Sequence, residues 1–117
     1  AFVALVEIIH LSPADKAWKS RRAIRESLFD FLTAPGDRVE LWAWVGAYDH
    51  VVICQLWGSM TELPREMPRF TRELRQHWES AGHPDLPAAP KNAHDALADA
   101  RHNLVKWRAI EEARSAH

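Results

Sequence analysis

At 117 residues the chain is long enough for one domain of ordinary size, and its 47% hydrophobic and 26% charged content is that of a globular protein. A formal net charge of −1 excludes capture of polyanions by bulk charge, but not of an anion held through a bound metal. The one cysteine, Cys54, cannot close an intrachain disulfide, no apolar run approaches the roughly 18–20 residues of a membrane span, and no basic-flanked leader with a cleavage site is visible, so the expectation is a cytoplasmic protein with no membrane partner.

Residues 2–9 (Phe-Val-Ala-Leu-Val-Glu-Ile-Ile) read as a short buried strand, and Ser12-Pro13 breaks the chain after it. A helix is expected from about Ala17 to Leu32, because Ile24, Leu28, Phe31 and Leu32 make one apolar stripe with Arg21, Arg22, Arg25 and Glu26 largely off it. Ala34-Pro35-Gly36-Asp37 turns the chain. Residues 38–45 form the clearest strand: Val39, Leu41, Ala43 and Val45 share one face, and Glu40, Trp42 and Trp44 the other. Apolar groups on both faces mark a central strand. Gly46-Ala47-Tyr48-Asp49 is a turn, with Asp49 placed as the cap of a helix through about Trp57. That helix is apolar nearly all round, predicting burial, with Cys54 in its packing. A connector with Pro64 and Pro68 follows, then a helix from Thr71 to Ala81 stopped by Gly82, then a loop holding Pro84, Pro87 and Pro90. The last helix runs from about Asp95 to Ala113 with a core stripe of Leu97, Ala100, Leu104 and Trp107. Six tryptophans call for a large core or a stacking surface. The whole, 1–117, is read as a single α/β domain in which residues 1–12 stand apart.

Two segments carry chemistry. In His94-Asp95-Ala96-Leu97-Ala98-Asp99-Ala100 a histidine stands at a helix entrance and an aspartate five residues on, beside the core stripe. The helix fixes a carboxylate ligand and the loop delivers a base, which suits hydrolysis at a metal. The same spacing also reads as a helix start with Asp95 as N-cap and Asp99 solvated. Tyr48-Asp49 lies just beyond the end of a central strand, where open α/β sheets bind their ligands. A carboxylate there opposite Asp99 makes a metal bridge of the oxygen type that Mg²⁺ prefers; a helix cap is the alternative.

Together these segments resemble a known family. His94-x-Ala96-Leu97-x-Asp99-Ala100 is similar to the third exonuclease motif of the DEDDh class, as in RNase T, and Tyr48-Asp49 to the aromatic-Asp of its second motif. The runs from Glu40 through Val51, Cys54 through Gly58, Pro68 through Glu73 and His94 through Leu104 resemble the small actinobacterial 3′-5′ exoribonucleases, over about residues 13 to 110. The resemblance implies an RNase H-like fold with helices on a mixed sheet. It implies two Mg²⁺ (or Mn²⁺) ions held by four acidic residues, Asp49 and Asp99 among them, with His94 as general base. It implies RNA with a free 3′ end as substrate, nucleoside 5′-monophosphates as products, and a homodimer. Tyr48 and His50 then become candidates to touch the substrate. Arg69, Arg72 and Arg75 read either as phosphate contacts or as a solvated face. A DNA 3′-5′ exonuclease and a catalytically silent RNA-binding or assembly subunit are the alternatives.

The sequence departs from the family at its start. The first motif is Asp-x-Glu on the first strand, and the nearest match is Leu5-Val6-Glu7: Glu7 fills the glutamate position, but Leu5 cannot bind a metal. The segment between this motif and the helix containing Trp18 is also too short for the strands the family places there. The expectation is that residues are missing before Pro13, between about Val3 and Ser12. Failing that, the domain is truncated and completed by another chain.

Overall fold

The computed structural model describes residues 20–36, 39–89, 91 and 95–116 and, for the backbone, residues 2–5. Its elements in chain order are strand β1 (Phe2–Leu5), helix α1 (Arg21–Thr33), strand β2 (Val39–Ala43), helix α2 (Ala47–Gln55), a 3₁₀ turn (Met60–Glu62), strand β3 (Thr71–Glu73), helix α3 (Leu74–Ser80) and helix α4 (Ala96–Ser115). The continuation of the first strand to residue 9, the helix start at Ala17 and the contiguity of residues 1–16 lie outside the described residues.

The strands form one sheet in the order β1-β2-β3. Both pairings are parallel, with Val3 beside Glu40 and Trp42 beside Arg72. The described sheet is therefore parallel throughout rather than mixed. A parallel sheet is covered on both faces by the helices that connect its strands, and β2 shows this. Val39 and Leu41 pack with Leu32, Ile53, Cys54, Leu63 and Met67, while Trp42 packs with Leu74 and Ile110. Helices α1 and α2 thus lie against one face, α3 and α4 against the other. Full burial of such side chains is worth roughly 1.5–3 kcal/mol each, so β2 anchors both halves of the core, as its two-sided pattern predicts.

Four of the six tryptophans, Trp42, Trp44, Trp78 and Trp107, meet in the second cluster. Trp44 and Trp78 have ring centroids 5.8 Å apart, and Trp42 and Trp107 6.5 Å. These rings fill an interior rather than a surface.

Several expectations are corrected. The segment 71–81 is not one helix: Thr71–Glu73 pair with β2 before α3 begins. Three residues are too few for alternation to reveal a strand. In α1 the inward residues are Leu28, Phe29 and Leu32, while Ile24 and Phe31 are exposed. Helix α2 is not buried all round: Asp49, Ile53 and Cys54 face inward, and Tyr48, Val51 and Val52 stay exposed. A sheet covers only one side of a helix, and an apolar run does not say which side. In α4 the buried positions are Asn103 and Ile110, whereas Leu97 is 59% exposed.

Candidate active site

Strand β2 ends at Ala43 and reverses through Trp44, Val45 and Gly46. Val45 takes φ +52°, a conformation that side chains branched at Cβ rarely adopt. Gly46 is required by space: a Cβ there would stand 2.6 Å from Ala43 Cβ and 3.3 Å from Thr71 Cγ2. This tight corner starts α2 just past the C-terminal edge of the sheet. Gly46 is the N-cap of α2, and Asp49 lies in its first turn rather than at its cap. Asp49 is buried, and the helix N-terminus favours its negative charge. Tyr48 beside it is 82% exposed.

His50 turns the other way. Its Nδ1 lies 2.9 Å from Thr71 Oγ1 and its Nε2 3.5 Å from Cys54 Sγ. Both ring nitrogens are engaged inside the fold, where they tie α2 to β3. Burial pushes the Cys54 thiol up from its ordinary value, which keeps it protonated and poorly nucleophilic.

Asp99 sits in the first turn of α4. That helix starts at Asp95, whose carboxylate accepts the Ala98 N–H at 3.0 Å, as an N-cap does. Asp99, Asn103 and Trp107 recur every four residues and share one face. Asn103 is only 3% exposed and Trp107 packs in the core, so Asp99 lies on the stripe that faces the sheet. Asn103 Nδ2 and Trp107 Nε1 are buried with no hydrogen-bond partner among the described residues. The course of α4 is fixed at two further points: Ile110 packs with Trp42, and Lys106 Nζ stands 4.2 Å from the Trp44 ring centroid. From Ile110 toward its N-terminus the helix therefore advances toward the C-terminal edge of β2, where Asp49 stands.

His94 and Glu7 lie outside the described residues. Among the described residues no group of three or more His, Cys, Asp or Glu converges as a metal site. Two of the other histidines are structural. His77 Nε2 lies 2.6 Å from Glu111 Oε1, joining α3 to α4, and the His83 ring stands edge-on to Trp78. Each of the three arginines has a protein partner, while Arg69 and Arg75 stay exposed. Arg69 donates to the carbonyls of Met60 and Leu63, Arg72 pairs with Glu40, and Arg75 with Glu79. Arg65, Arg69, Arg72 and Phe70 line a groove of about 270 Å³ beside Val39 and Glu40, at the end of β2 away from Asp49.

Sequence reasoning missed Glu73. Its carboxylate accepts the N–H of Val45 at 2.7 Å, of Gly46 at 3.0 Å and of Arg75 at 2.9 Å. The signal is non-local, since 27 and 28 residues separate the partners.

The sequence model of the Rv2179c-like 3′-5′ exoribonuclease domain matches residues 7–111. Two curated proteins of Mycobacterium tuberculosis are similar to the chain: 3′-5′ exoribonuclease Rv2179c of strain ATCC 25618 / H37Rv and 3′-5′ exoribonuclease MT2234.1 of strain CDC 1551 / Oshkosh. Each is 59% identical over 99 residues, which cover 84% of this chain. The chain spans 59% of the length of each relative. With nearly its whole described length inside the match, this chain belongs to the Rv2179c-like 3′-5′ exoribonuclease domain family.

Proposed function

We propose that this chain forms the larger part of a 3′-5′ exoribonuclease of the DEDDh class, acting on RNA with a free 3′ end and releasing nucleoside 5′-monophosphates. The observation that carries the reading is the 59% identity to two proteins named for that activity. The parallel strands around β2, with helices against both faces, support an RNase H-like fold.

The donor chemistry fits a hard divalent ion. Asp49 and Asp99 offer carboxylate oxygens, as Mg²⁺ and Mn²⁺ prefer, with Glu7 as a further acid. A pair of such ions, when bound, supplies positive charge to the scissile phosphate and acidifies water. Burial of Asp49 behind the Val45-Gly46 corner holds its carboxylate in one orientation. Asp99, one turn before the buried Asn103, lies on the stripe of α4 that faces the sheet. His94, five residues before Asp99, takes the proton of the attacking water as that water adds to phosphorus and the 3′ oxygen leaves. Exposed Tyr48 is available to stack on a terminal base. His50, engaged by Thr71 and Cys54, serves the substrate only by holding α2 in place. The exposed pair Val51 and Val52 supports pairing of two copies. Among the described residues no helix is long and apolar enough to cross a membrane; a cytoplasmic setting is part of the proposal.

The test is incubation of 5′-labelled RNA and DNA with 3′ overhangs in Mg²⁺ or EDTA. Stepwise release of 5′-monophosphates from RNA, lost in EDTA, is expected. RNA that is bound but uncut in Mg²⁺ would make the chain a binding module instead, and preferential DNA cleavage a DNA exonuclease.

A further inference from the structure

We propose that Glu73 is the positioning residue for Asp49: its carboxylate locks the corner that aims the metal-binding aspartate at the sheet edge. The inference rests on the metal-dependent reaction proposed above. The two oxygens of Glu73 divide their work. Oε1 accepts the Gly46 N–H at 3.0 Å, while Oε2 accepts the Val45 N–H at 2.7 Å and the Arg75 N–H at 2.9 Å. One side chain therefore joins the end of β2, the start of α2 and the start of α3.

The corner needs such a clamp. Val45 at φ +52° is unfavourable for a side chain branched at Cβ, so the conformation persists only where something outside the turn enforces it. The turn has no side-chain cap of its own, since Gly46 is the N-cap of α2 and carries none. Two adjacent N–H groups pointing at one carboxylate supply the enforcement, and charge-assisted bonds of this kind are short and strong. Asp49 follows Gly46 by three residues, within the first turn of α2. A rotation of the corner therefore passes directly into the direction of the Asp49 carboxylate. Glu73 is itself fixed, because β3 pairs with β2 in the register that sets Glu73 beside Ala43. The next residue, Leu74, is fully buried. On the same side Thr71 holds His50, one residue past Asp49. Strand β3 thus sets α2 from two points, one on each side of the aspartate.

The experiment compares wild type, Glu73→Ala, Glu73→Gln and Asp49→Asn in the full chain. Each is measured by Mn²⁺ titration calorimetry without RNA, by RNA hydrolysis across Mg²⁺ concentrations, and by thermal melting. Glu73→Ala is expected to weaken Mn²⁺ binding about tenfold and to raise the half-maximal Mg²⁺ concentration by a similar factor. It should lower kcat while leaving KM for RNA close to wild type. Glu73→Gln, which keeps both oxygen positions occupied but accepts through only one, is expected to fall between the two and remain folded. If Glu73→Ala does not fold, the Glu73→Gln metal titration decides. Wild-type metal affinity in the folded Glu73 variants, with Asp49→Asn inactive, overturns the positioning role and leaves the proposed reaction standing. A wild-type chain that binds no Mn²⁺ and cuts no RNA overturns the reaction itself, and the positioning role with it.

Discussion

Single residues of the proposed site divide into those assigned chemistry and those assigned its placement. Asp49→Asn and Asp99→Asn keep the shape of each side chain and remove its charge. Each is expected to lower RNA hydrolysis by more than about a hundredfold while circular dichroism stays unchanged. His94→Ala should also remove most activity with the melting temperature retained, and unchanged turnover in that variant would take His94 out of the mechanism. Gly46→Ala is different in kind. Its Cβ would meet Ala43 Cβ at 2.6 Å, so the corner must shift, at about 1–3 kcal/mol by the usual cost of overpacking; denaturant melts read this directly. The placement of Asp49 past a strand end and of Asp99 near a helix entrance was legible in the sequence, because each position has a local signature. Glu73 was not, because the two N–H groups that give it a role at the corner lie 27 and 28 residues away and leave no mark in a sequence; only its bond to the Arg75 N–H is local. The histidine beside Asp49 was equally opaque: its direction depends on Thr71 and Cys54, which only the packed fold brings to its ring.

Elements were legible in proportion to how much of their pattern is local. Strand β2 declared itself through apolar groups on both faces. Strand β3 did not, being Thr71, Arg72 and Glu73 with a helix following at once. In α4 the expected stripe of Leu97, Ala100, Leu104 and Trp107 held at Trp107, failed at Leu97 and missed Asn103 and Ile110, since a buried polar residue defeats hydropathy as a guide. The docking of α4 on α3 also carries a pH dependence. The His77 hydrogen bond, with help from Arg114, holds the Glu111 carboxyl below its ordinary value of 4.5 against the opposing effect of burial. A carboxyl depressed in the folded state stabilises above its unfolded pKa, and that contribution is lost as pH falls through the folded value. The α3–α4 contact should therefore loosen on acidification below about pH 4.5. Fluorescence of Trp42, Trp78 and Trp107, which lie in this interface, reports the loss, and Glu111→Gln should flatten the acid limb. An acid limb identical in that variant would remove Glu111 as its source.

At the scale of the molecule, four of the six tryptophans turned out to describe an interior. Trp42, Trp44, Trp78 and Trp107 fill the core beneath α3 and α4, so they do not themselves argue for a partner. The exposed apolar groups are elsewhere, with Val51 and Val52 together on α2. Self-association through this face predicts a species near twice 13.4 kDa in sedimentation at micromolar concentration. Val51→Lys should shift it to the monomer without disturbing the core, because Val51 is half exposed. A wild-type sample sedimenting only at the monomer mass would refute the pairing. The parallel order around β2 was only partly legible, since periodicity reveals a central strand but not the direction of its neighbours.

Val45 has a consequence for motion. A left-handed β-branched residue raises the local energy by about 1–3 kcal/mol, and the bonds that oppose this are held by a side chain rather than by a ladder. Opening of this corner needs only Glu73 to swing away, whereas opening of Leu41–Ala43 needs strands to part on both sides. In deuterium exchange the amides of Val45 and Gly46 should therefore label well ahead of those of Leu41 and Trp42, only a few residues before them. The corner can then breathe at the sheet edge while His50 and the buried Ile53 and Cys54 keep α2 on the sheet, so its opening need not cost the fold.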